Sequence, residues 1–245
     1  MALALLGAVA MACGGGSGAV VEPATITVLA AASLSEAFTE LGTAFSAVSR
    51  PVVHVRFSFG PSSGLARQIV DGAPGDVFAS ADAETMEVVV AAGAARGHPQ
   101  DFAANFMEMA VPPGNPAAVS GLSGLARPEL LVGLCAPEVP CGRLARRLLA
   151  TAEVTPAIDT EEADVRSLVT KIEAGELDAG LVYHSDVAAA GAAVDAVAVP
   201  GADQVLTRYP AVVLEGAAAP SQAEAFVDFL VSDAGRAILV AHGFR

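Results

Sequence analysis

The chain of 245 residues has no tryptophan, two tyrosines, three cysteines and a single lysine, Lys171. Each scarcity excludes something. Thirteen Lys and Arg stand against 27 Asp and Glu, giving a formal net charge of −14. A chain so short of cations has no basic stripe to neutralise phosphates, which excludes nucleic acid and anionic lipid surfaces as partners. Two tyrosines, Tyr183 and Tyr209, supply little of the paired phenolate and carboxylate set that an iron(III) carrier needs. Aromatic residues make up only 5%, yet hydrophobic residues reach 53%, much of it Ala and Val. A core of small aliphatic side chains is available, so a disordered chain is excluded. None of this excludes a small anion, because neutral N–H and O–H dipoles can hold a buried dianion whatever the sign of the outer surface.

Long apolar runs are also scarce. Met1–Ala12 is rich in Ala and Leu but shorter than the roughly 20 residues a membrane span needs. It ends at Ala10-Met11-Ala12-Cys13, followed by a Gly/Ser linker. Small residues before a Cys resemble a bacterial lipoprotein signal, with Cys13 as the acylated residue. Ala10 stands where Leu is usual, and no Lys or Arg precedes the run; an ordinary secretory signal is the alternative. Either way the chain is expected to be extracytoplasmic, with residues 1–24 a signal and linker and folding beginning near Pro23. The other cysteines, Cys135 and Cys141, are separated by Ala136-Pro137-Glu138-Val139-Pro140. In an exported chain this spacing reads as a local disulfide. A metal pair would need further partners, and His98 and His184 are distant in sequence.

What is present is an alternation of strand and helix patterns. Thr25–Ala30, Val52–Phe59 and Asp76–Ala81 are predicted strands. Helical periods follow at Leu34–Phe45 and Ser62–Asp71, and Asp82 can cap a third helix. Ser33 with Glu36 three residues on matches a capping box. Phe106–Val111 is a further strand, ended by Pro112-Pro113-Gly114-Asn115-Pro116, the strongest breaker in the chain and an expected crossing between lobes. Beyond it come strands at Leu130–Leu134, Ala179–Tyr183 and Val194–Val199. Helices open at Cys141-Gly142 and Asp164-Val165. Pro210–Leu214 is expected to return to the first lobe, before helices at Ser221–Val231 and Asp233–His242. The pattern predicts an α/β fold of two lobes, each a mainly parallel sheet flanked by helices. The expected division is residues 25–108 plus 208–245, and 109–207.

Four helix starts follow strands or turns: Ser33, Ser62, Cys141 and Val165. A helix N-terminus offers unpaired N–H groups and partial positive charge. In open parallel sheets, ligands collect at the carboxyl ends of strands, where helices begin. If the lobes face one another, the four starts would converge on one cleft.

Here the sequence becomes specific. Ala30-Ala31-Ala32-Ser33-Leu34, Phe59-Gly60-Pro61-Ser62-Ser63-Gly64-Leu65-Ala66-Arg67-Gln68-Ile69 and Gly72–Asp82 together resemble the molybdate-binding proteins of bacterial ABC transporters. So do Ala163-Asp164-Val165-Arg166, Gly180-Leu181-Val182-Tyr183-His184-Ser185-Asp186 and Tyr209-Pro210. The resemblance runs from about Ile26 to the C-terminus. It implies a type II periplasmic-binding fold that closes on a tetrahedral oxyanion, molybdate or tungstate, through neutral hydrogen bonds. It implies hydroxyl and N–H donation from Ser33 and Ser62, backbone N–H donation from Cys141 and Val165, and phenol donation from Tyr183. Cys141 stands where a small residue such as Ala is usual, and Gly60-Pro61 replaces a more Ser-rich turn. Ser63 is an additional donor or only a cap. No protein atom is expected to bind the metal directly; Glu161, Glu162 and Asp164 read first as helix capping and solvated charge. No cofactor and no catalysis are implied. The implied partners are a membrane permease and its ATPase, with a lipid anchor at Cys13 and a monomeric chain.

Two alternatives remain open on the residues alone. A sulfate- or phosphate-type oxyanion would suit the same junctions. Gly60-Pro61-Ser62-Ser63-Gly64 also fits G-x-S-x-G, the elbow of serine hydrolases, with Asp186 or Asp228 and then His242 in the right chain order.

Overall fold

The structure, a computed structural model, describes residues 23–245. Cys13 and residues 1–22 of the expected signal and linker lie outside the described residues, and Ala24, placed at the end of that linker, already opens the first strand. Among the described residues no helix is long and apolar enough to cross a membrane.

The first half alternates as its sequence periods require. Strand β1 (Ala24–Ala31) is followed by a 3-10 turn (Ala32–Leu34) and helix α1 (Ser35–Val48). Then come β2 (Val53–Gly60), α2 (Ser62–Val70), β3 (Val77–Ala79), α3 (Ala83–Ala91) and β4 (Ala95–Asn105). The second run comprises β5 (Met107–Val111), β6 (Val132–Cys135), α4 (Pro140–Thr151), β7 (Thr160–Glu162), α5 (Val165–Glu173), β8 (Ala179–Tyr183), α6 (His184–Ala190) and β9 (Asp195–Val197). The chain closes with β10 (Thr207–Leu214), α7 (Pro220–Val231) and α8 (Asp233–Ala241).

These strands form two five-stranded sheets, in the orders β2-β1-β3-β10-β4 and β7-β6-β8-β5-β9. In each sheet the fourth strand runs against its neighbours: β10 is antiparallel to β3 and β4, and β5 to β8 and β9. The other pairings are parallel. Helices flank both sheets, the architecture expected of two α/β lobes. The passage from one sheet to the other is at Phe106, between β4 and β5, upstream of the Pro112–Pro116 break that the sequence suggested. Met107 and Glu108 already pair with Tyr183 and Val182 of the second sheet. The return is made before Thr207, which pairs with Asn105.

The few aromatics are concentrated rather than spread. Phe38 and Phe45 of α1 meet Phe226 of α7 edge-on, with ring centroids 6.1 and 5.3 Å apart. Phe102 of β4 lies 5.6 Å from Phe38. They anchor the first sheet to its helices, while the second is covered by Leu144, Leu148, Leu168 and Ile172, all buried.

Two strands were not legible in the sequence, β4 and β7. Both are sheet edges. An edge strand carries polar residues and proline without penalty, and β4 contains Pro99, Gly97, His98 and Gln100. The capping box at Ser33 does not form. Leu34 precedes α1 with no side-chain cap. Ser35 Oγ donates to Glu36, and Ser33 is drawn elsewhere by Tyr209. The cap at Asp82 does form, its Oδ1 accepting from Thr85 N at 2.9 Å.

Candidate functional site

A small cavity lies between the two sheets, at the carboxyl ends of β1, β2, β6, β7 and β8. It is lined by Ser33, Ser62, Cys141, Val165 and Tyr183, together with main-chain segments at Ala31-Ala32, Gly60-Pro61, Ala81, Val139-Pro140 and Asp164. All five residues singled out from sequence therefore meet at one place. Ser63 does not; it lines a separate surface depression with Arg67 and Glu84. One turn of α2 carries Ser62 inward and its neighbour outward.

The hydroxyls are set by what stands behind them. Ser62 Oγ accepts from Ala81 N at 3.1 Å. Its acceptor side is used, and its proton is left for the cavity. Ser33 Oγ lies 3.0 Å from Tyr209 Oη; when the phenol donates, the Ser33 proton is likewise free to point inward. Both serines are buried. The peptide donors follow from helix geometry. Pro140 is the first residue of α4 and has no N–H, so the first free donor of that helix is Cys141. Val165 opens α5, where Asp164 Oδ1 caps Ser167 N at 2.9 Å and leaves the first N–H groups uncapped.

Tyr183 completes the set. Its hydroxyl is buried and has no hydrogen-bond partner among the described residues. Burial, reinforced by Tyr209 and the carboxylates of Asp82 and Asp186, pushes its pKa well above the usual phenol value. The group is therefore a neutral O–H whose proton has no acceptor in hydrogen-bond geometry among the described residues, with the Tyr209 hydroxyl as a neighbour that helps to hold it protonated. An unpaired buried hydroxyl is expensive, so it marks a place for an acceptor. Tyr209, the chain's other tyrosine, stands edge-on to it at 5.9 Å, and burial raises its pKa also.

Among the described residues no Arg or Lys lines the cavity. The one carboxylate in the lining, Asp164, is occupied as a helix cap. Glu162 is paired with Lys171 at 2.6 Å, and Glu161 with Arg146. These acids serve as a cap and as paired charge. Among the described residues no cluster of His, Cys, Asp and Glu is arranged to hold a bare metal ion. The available volume is about 20 Å³ for the centre of a water-sized sphere. A sphere of that volume, widened by a water radius of about 1.4 Å, is roughly 3 Å in radius. That matches one compact ion and is small for a sugar or an amino acid.

Cys135 and Cys141 are joined in a disulfide, which ties the end of β6 to the first turn of α4. Gly142 packs against the same loop, so closely that a Cβ there would lie 1.9 Å from Ala136 O. His242 pairs with Glu40 at 2.8 Å and does not line the cavity with Ser62. Sequence reasoning missed Tyr209 as the partner of Ser33. The pair Tyr209-Pro210 was the available signal, but a contact spanning 176 positions leaves no local trace.

The chain matches the family described as bacterial extracellular solute-binding protein over residues 26–245. The molybdate-binding protein ModA of Mycobacterium tuberculosis (strain ATCC 25618 / H37Rv) is 41% identical over 220 residues, covering 90% of this chain and 84% of that protein. The Azotobacter vinelandii periplasmic molybdate-binding protein superimposes with a TM-score of 0.78 at 23% identity, over 90% of this chain and 98% of that one. The sulfate-binding protein SubI from Mycobacterium tuberculosis H37Rv gives 0.79 at 20% identity, over 91% and 86%. At those two identities the likeness is one of fold.

Proposed function

Given that the chain belongs to the bacterial extracellular solute-binding family, we propose that it is the molybdate-binding component of an ABC transporter, accepting tungstate equally. The observation that carries this is the buried Tyr183 hydroxyl, without a hydrogen-bond partner among the described residues, in an ion-sized cavity that none of their Arg or Lys side chains lines. Ser33 and Ser62 donate hydroxyl protons, Cys141 and Val165 donate N–H groups, and Tyr183 donates its phenol proton to one tetrahedral dianion. Molybdenum reaches the protein only through its oxygens.

A cage of cations would take any dianion by charge. A shell of fixed dipoles instead selects by size, since oxygens that fall short leave buried donors unpaired at about 1–3 kcal/mol each. Sulfate, the smaller ion, is disfavoured on this ground; tungstate, nearly identical in size and shape, is not. Residues 24–105 with 207–245 form one lobe and 107–197 the other, and they close about the ligand by a hinge at Phe106 and the return before Thr207. The protein is extracytoplasmic, held to the membrane through Cys13, monomeric, and hands its ligand to a permease driven by an ATPase. It binds without making or breaking bonds, and the separation of His242 from Ser62 disfavours the hydrolase alternative.

A thermal melt of residues 23–245 with millimolar molybdate, tungstate, sulfate and phosphate tests this. A ligand held about 1,000-fold below its concentration stabilises by about 4 kcal/mol, a melting shift on the order of 8–16 °C for a chain of this size. Shifts with molybdate and tungstate but not sulfate are expected. A shift with sulfate or phosphate alone would replace the ligand.

A further inference from the structure

Among the described residues, ion pairs bridge the lobes on two flanks, Arg143 with Asp82 and Glu84 on one and Arg166 with Glu36 on the other, and each flank stands beside a wall of the cavity. Arg143 lies on α4, two residues beyond Cys141. Its Nε and Nη2 donate to Asp82 Oδ2 at 2.9 and 2.6 Å, and Nη2 also reaches Thr85 Oγ1 at 2.6 Å. Its Nη1 is braced within its own lobe by Glu138 O at 2.6 Å. Asp82 and Thr85 belong to the first turn of α3, and Asp82 follows Ala81, whose N–H fixes Ser62. On the other flank Arg166 follows Val165 on α5 and meets Glu36 at 2.8 Å. Glu36 is on α1, three residues after Ser33. Each pair thus joins a ligand-lining segment of one lobe to a ligand-lining segment of the other.

We infer that Arg143 and Arg166 are positioning residues that clasp the two lobes over the bound oxyanion and set its rate of release. This rests on the oxyanion-binding, hinge-closing function proposed above. Neither contact survives separation of the lobes, because donor and acceptor sit on different ones. Both therefore stabilise the closed form alone, and a closed-form contact slows dissociation more than it speeds encounter. The two clasps are unequal. Arg143 and Asp82 have side chains 25% and 14% exposed, while Arg166 and Glu36 stand at 38% and 37%. Shielding and three inter-lobe hydrogen bonds make the Arg143 clasp the stronger; the more exposed pair is weaker and more easily screened. Each guanidinium is neutralised by carboxylates of the opposite lobe, Arg143 by Asp82 and Glu84 and Arg166 by Glu36. Closure gains ionic contacts in this way without putting a free cation in the cavity, where it would attract competing dianions.

The test measures molybdate release. Loaded protein is chased with excess tungstate, separated rapidly, and its retained molybdenum counted by mass spectrometry. Met at either position keeps the aliphatic stem and removes the charge. Arg143→Met is expected to release about tenfold faster than wild type, and Arg166→Met about threefold. Asp82→Asn keeps the helix cap and should move release in the same direction as Arg143→Met. Ligand-free melting temperatures of the Arg variants should match wild type, a readout that separates a clasp from a general structural role. Raising salt should hasten release from wild type more than from the double variant. Wild type that binds while Arg143→Met releases at the wild-type rate overturns the clasp alone. So does a ligand-free melting point that falls as far as the liganded one. Wild type that binds no oxyanion overturns the ligand assignment, and the clasp with it.

Discussion

Removing one oxygen atom separates the ligand role of Tyr183 from any role in holding the fold. In the structure that hydroxyl is buried and has no partner in hydrogen-bond geometry among the described residues, and its raised pKa keeps it protonated. Tyr183→Phe deletes a group that the protein itself does not satisfy. The ligand-free melting temperature should therefore hold or rise, since no intramolecular hydrogen bond is lost. Binding should move the other way. A hydrogen bond to a charged acceptor contributes about 1.5–3 kcal/mol, so Kd for molybdate should rise by about 10- to 150-fold. At one fixed ligand concentration the same loss cuts the ligand-induced melting shift by about 3–12 °C. Isothermal titration gives the first number and paired melts the second. A variant that binds molybdate within threefold of wild type would refute the donor role. A variant whose ligand-free melting point drops by several degrees would show that Oη has a structural partner.

Two further outcomes follow from burial. Asp186 is buried, and desolvation pushes its carboxyl up to about 7, opposed by the Tyr183 N–H and by Arg166. The folded protein therefore keeps a proton there that the unfolded chain releases near the ordinary value of 3.8. This contribution to stability is full below about pH 4 and is lost as pH rises through about 7. Asp186→Asn keeps an acceptor for Tyr183 N and removes the titration. Its stability should therefore gain on wild type between about pH 5 and pH 7, by up to about 1.4 kcal/mol for each pH step of one. Parallel profiles in melts across that range would contradict the assignment. Gly142→Ala places a Cβ 1.9 Å from Ala136 O and 2.7 Å from Cys135 O. A backbone clash of that kind costs at least about 1–3 kcal/mol and shifts the Cys141 N–H, so both melting temperature and molybdate affinity should fall; an unchanged melt would refute it.

The parts legible in the sequence were those whose cause is local. Strand–helix alternation follows from residue period, and the placing of Ser62, Cys141 and Val165 at the cavity follows from where helices begin. Tyr183 was singled out through a motif rather than through chemistry; a lone tyrosine after a strand carries no such message. What stayed hidden was decided by distant partners. Ser33 looks like a cap because Glu36 stands at the right offset, but Tyr209, which competes for it, enters from β10. Arg143 looks like any basic residue on a helix face until α3 is brought opposite it. Strand β4 looks like a loop because only β10 makes it a strand.

The interleaving of β4, β5 and β10 also orders events in time. The second sheet is drawn from one continuous stretch, residues 107–197, and has all its strands as soon as that stretch has emerged. The first cannot be finished until residues 207–214 are made, because β10 lies between β3 and β4 and is the strand on which β4 pairs. During vectorial synthesis or passage through a translocon, the older lobe waits for the younger one to appear. The cavity, which needs walls from both, is complete only once β10 has closed the first sheet.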